Sequence, residues 1–70
     1  MSIAKTNTSL LKFLIKNAAT VIETDEDKEL ALDLLEEIDE VVKKAEQNNE
    51  KISESIKTKI TALKMLYRFM

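Results

Sequence analysis

The chain has 70 residues, a size at which one domain can only just bury a sufficient core, and it contains no cysteine, glycine, proline or histidine. That composition excludes disulfide frameworks, thiolate and imidazole chemistry, nearly all zinc sites and every glycine-built phosphate loop. The net charge of −2 hides a sorted layout, with residues 1–22 summing to +3, residues 23–50 to −9 and residues 51–70 to +4. Without the usual turn residues, and with charge sorted into blocks that attract one another when folded back, the chain is expected to be all-α.

The first helix is expected over about residues 8–22, capped by Thr8 or Ser9. Its apolar positions are so many that the polar stripe of Lys5, Ser9, Lys12 and Lys16 stays narrow, and such a helix needs neighbours on more than one side. Asn7-Thr8-Ser9 matches a glycosylation acceptor, a short pattern that carries no weight in a chain with no visible leader.

The second helix is expected over about residues 25–47, opened by a capping box of Thr24 and Asp27, with the Asp25-Glu26-Asp27 run favouring a helix start. Ala31, Leu35, Ile38, Val42 and Ala45 recur at spacings of four and three, while Asp33, Glu36, Glu37 and Glu40 line the opposite face. Those four carboxylates form a candidate acidic patch for a basic partner. They lack the histidines of a di-iron bundle and the interleaved loop of a calcium site, so no metal and no cofactor is expected.

The periodicity lapses at Gln47-Asn48-Asn49, and a third helix is expected over about residues 50–69, with asparagine both stopping one helix and capping the next. Its inner line is Ile52, Ile56, Ile60, Leu63, Tyr67 and Met70, supported by Leu66 and Phe69. The alternative is one long coiled-coil helix from about 25 to 69, because Ala31 through Asn49 to Met70 keeps an unbroken heptad register. The flanks of that register hold Leu32, Leu34, Val41, Ile60, Ala62 and Tyr67, too greasy for a two-stranded seam, and only a turn near Asn48 sets acidic helix two beside basic helix three. The preferred architecture is therefore a single-domain three-helix bundle with an antiparallel hairpin of helices two and three, completed by dimerisation.

Catalysis is not expected, since the remaining chemistry of paired carboxylates or a shifted lysine needs a cavity that three short helices scarcely enclose. The favoured function is a non-enzymatic interaction module, a regulator, adaptor or inhibitor that binds another protein through helix surfaces. Phe13, Ile15, Tyr67, Phe69 and Met70 are the candidate self-association residues, in a homodimer that shares its exposed apolar surface. The alternative is a nucleic-acid-associated regulator that uses Lys57, Lys64 and Arg68, interleaved with aromatic residues, or presents helix two as an acidic decoy. No stretch is apolar enough to span a bilayer, and the expected location is the cytoplasm.

Overall fold

The computed structural model describes residues 6–70, which form three α-helices and no strand: α1 (Thr6–Thr24), α2 (Lys28–Gln47) and α3 (Glu54–Tyr67). They pack as an up-down-up three-helix bundle measuring 36 × 19 × 16 Å. One apolar core runs its length. Leu11, Leu14, Ile15, Ala18 and Ile22 of α1 meet Ala31, Leu35, Ile38, Val41 and Ala45 of α2, and Ile56, Ile60 and Leu63 of α3 close the third side. Leu11 and Ile38 are completely buried, and no polar or charged side chain among the described residues is buried. As its wide apolar surface requires, α1 packs against both other helices.

The long-rod alternative is ruled out at Asn49, which takes the left-handed conformation with φ 58°. The Glu50 N–H donates to the Ala45 carbonyl at 2.8 Å and the Asn49 N–H to that of Glu46 at 3.1 Å. This paired closure satisfies the last carbonyls of α2 and turns the chain away, with asparagine standing where glycine usually stands. A heptad register records which side chains are apolar; it says nothing of whether the backbone can continue between them. Ile52, 6% exposed, then pins the connection to the core before α3 begins.

The helix ends differ from the sequence expectation for local reasons. Thr24 does not open α2, because its hydroxyl donates back to the Val21 carbonyl at 3.1 Å and Asp25 follows in the left-handed conformation, φ 52°. Asp27 is the N-cap instead, its carboxylate accepting the Leu30 N–H at 2.9 Å. Likewise α3 starts at Glu54 rather than residue 50, because the Ser53 hydroxyl, and not an asparagine, accepts the Ile56 N–H. Helix α1 already includes Thr8 and Ser9, so neither caps it, and Lys5 lies outside the described residues. After Tyr67 the chain closes in tight turns, Arg68, Phe69 and Met70 each donating to a carbonyl three residues back. No described helix is long and apolar enough to cross a membrane.

Candidate docking groove

In an up-down-up bundle α1 and α3 run the same way, and here they diverge enough to leave a groove of about 780 Å³ between them, to which no residue of α2 contributes. Its floor is apolar: Ile15 and Ala19 from α1 face Ile56, Ala62 and Leu63 from α3. Ala19 and Ala62 keep it open, since a longer side chain at either place would fill it. Four lysines stand around this floor, Lys12 and Lys16 one turn apart on α1, Lys51 in the connection and Lys59 on α3, and no carboxylate lines it. The four lysines are all exposed. Their stems extend the apolar walls while their ammonium groups reach water, giving a cationic rim on a greasy trough.

At one end the groove adjoins a smaller pocket where Glu50 sits beside Thr8, Lys12 and Lys51. Glu50 is held there by two side chains of α1, accepting from Asn7 Nδ2 at 2.8 Å and from Thr8 Oγ1 at 3.2 Å. The same contacts tie the start of α1 to the α2–α3 connection and so fix the width of the groove mouth. They also give Asn7 and Thr8 of the acceptor-like tripeptide a structural task.

The residues expected to act together from the sequence are dispersed. Ile15 belongs to the core at 8% exposed, and Tyr67 and Met70 are half-buried against it. The Lys28 ammonium lies 5.4 Å above the Tyr67 ring and donates to the Met70 carbonyl at 3.3 Å. Phe13 and Phe69 are exposed, at 61% and 85%, one toward the middle of α1 and the other beyond the end of α3. Leu66 is also exposed, so neither it nor Phe69 supports the inner line of α3.

Asp33, Glu36, Glu37 and Glu40 all lie exposed on α2, and among the described residues no group of three or more acids is placed to hold a metal ion. Lys57, Lys64 and Arg68 are exposed on the side of α3 away from the groove. Two of these bases are engaged within the chain. Lys64 Nζ lies 2.8 Å from Asp39 Oδ1, the local form of the expected attraction between α2 and α3, and Lys57 Nζ lies 3.8 Å from Glu54 Oε1.

Sequence reasoning missed the groove because its two walls are some forty residues apart in the chain. The signals present were the four-residue spacing of Lys12 and Lys16 beside Ala19 and the placing of Lys59 between Ile56 and Leu63. Each reads alone as an ordinary wet position, and only the parallel setting of α1 and α3 joins them. No protein-family model, no curated protein and no solved structure matches this chain.

Proposed function

We propose that this protein is a non-catalytic docking module that takes an acidic amphipathic helix of another protein into the α1–α3 groove. The observation that carries the reading is the rim of Lys12, Lys16, Lys51 and Lys59 around an apolar floor lined by no acid. A helix with an apolar stripe flanked by glutamates would match both parts, burying its stripe on Ile15, Ile56 and Leu63 while its flanks meet the lysines. Such a helix would complete a four-helix arrangement, lying across from α2 on the other side of the α1–α3 pair. A second copy offering its own acidic α2 is the poorer occupant, since groove and α2 lie on opposite sides of the bundle and the contact would propagate head to tail without closing.

The test is a binding titration of the whole protein with a synthetic amphipathic helix bearing glutamate flanks, beside the same peptide with lysine flanks. Binding of the first alone, lost in Lys12→Glu/Lys16→Glu/Lys59→Glu and kept in Lys57→Glu/Lys64→Glu/Arg68→Glu, supports the reading. Retention of a single-stranded oligonucleotide at low salt with no peptide binding would replace it with the nucleic-acid reading. Failure of both probes would end it.

A further inference from the structure

We propose that the α1–α3 groove, on the docking reading above, accepts its helix in one direction only. The occupant runs opposite to α1 and α3, leads with a bulky apolar side chain and carries its acids in its last two turns. Both walls of the groove run the same way, from Thr8 toward Ala19 on α1 and from Ser53 toward Leu63 on α3. That length seats about three turns of a docked helix, ~16 Å. The dipoles of both walls are positive toward the Thr8 and Ser53 end, where the negative C-terminus of a docked helix is favoured. A fourth helix across from α2 is also antiparallel to both its neighbours when the bundle closes up-down-up-down.

The lining is graded along the same direction. Lys51 and Lys12 stand at the near end with Thr8, Ser53 and Ser55, and Lys16 and Lys59 follow further in. Glu50 beside them is already engaged, accepting from Asn7 and Thr8 with its two oxygens. The far end holds Ala19, Ala62 and Leu63. One turn beyond, helical periodicity sets Glu23 after Ala19 and Leu66, 52% exposed, after Ala62. Asp25, Glu26 and Asp27 of the α1–α2 connection lie exposed at this end too, so a partner's acids are repelled here and drawn toward Lys12 and Lys51. The bases at this end face elsewhere, Lys28 over the Tyr67 ring and Arg68 on the side of α3 away from the groove. The short side chains of Ala19 and Ala62 leave a recess against Leu63 that fits a leucine or phenylalanine of the partner's first turn.

The test titrates the whole protein with two synthetic amphipathic peptides, each held helical by a lactam staple on its outer face. One has phenylalanine in its first turn and glutamates in its last two; the other has the same residues in reverse order and shows the same pattern only when lying parallel to α1 and α3. The first is expected to bind about five-fold tighter. A nitroxide at its C-terminus should broaden the amide signals of Lys51 and Ser53 and spare those of Ala62 and Leu66. Ala62→Leu, at an exposed helix position, should weaken this peptide and tighten a version with alanine in the first turn, a gain that misfolding cannot produce. Equal binding of the two orders, a label that broadens Ala62 instead of Lys51, or an Ala62→Leu variant indifferent to the first-turn residue overturns the inference and leaves the docking reading standing. Binding of neither peptide ends both.

Discussion

Asn7 Nδ2 donates to Glu50 Oε2 at 2.8 Å, a bond that joins the first turn of α1 to the connection between α2 and α3 across most of the chain. Thr8 reinforces it by donating to the other carboxylate oxygen. Hydrogen bonds to a charged acceptor in a half-buried place contribute more than neutral ones, so Glu50→Ala is expected to cost about 1–2 kcal/mol. Glu50→Gln, which retains one acceptor, should cost about half as much. Urea unfolding of the two variants checks the order, and equal losses would show that the two-acceptor carboxylate, and not a single acceptor oxygen on a side chain of that shape, carries the contact.

Asn49 holds the turn that separates a bundle from a rod. A side chain without asparagine's tolerance of the left-handed region pays the steric cost in full, so Asn49→Ala is expected to destabilise by about 1 kcal/mol, and Asn49→Asp by much less. Thermal unfolding followed by circular dichroism measures both, and a neutral Asn49→Ala would mean that the paired carbonyl closure alone holds the turn.

Ile38 is completely buried in the core, and its truncation to alanine leaves a hole that close packing cannot refill. Ile38→Ala should cost about 2–5 kcal/mol. In so small a bundle that is a large share of the total, and a broadened or absent denaturation transition is the expected readout.

The Asp39–Lys64 pair, by contrast, should matter little. Both side chains are about half exposed, at 52% and 47%, and exposed ion pairs contribute ~0–1 kcal/mol that salt screens. Lys64→Ala is expected to shift stability by less than Asp27→Ala, which removes a helix cap and should cost about 1 kcal/mol. A double-mutant cycle at low and high salt separates the pair from its surroundings.

The sequence exposed those features that depend on spacing along one helix. The four-three rhythm of Ala31, Leu35, Ile38, Val42 and Ala45 marks residues that are buried except for Val42, which is half-buried beside the buried Val41, and the greasy flanks of the heptad register argued for the hairpin that forms. The caps were harder to place, because Thr24 and Asp27 both suit a helix start and only Asp25's left-handed backbone, which ends α1 after Thr24, decides between them. The groove was out of reach for a different reason. Its lysines gain meaning from the gap between two helices whose relative setting is fixed by the core, by Glu50 and by Ile52, none of which is recorded in the local pattern of Lys12 or Lys59.

Both reversals in this fold are made by residues with a full side chain, Asp25 and Asn49, in a chain that has no glycine at all. Each bends at some steric cost in the native state, yet the same Cβ atoms narrow the range of shapes open to the denatured polypeptide. Less disorder is then surrendered when the bundle forms. Substituting glycine at either bend would relax the native backbone and loosen the unfolded ensemble together, so the apparent flaw in these turns is partly offset on the side of the equilibrium that no folded coordinate displays.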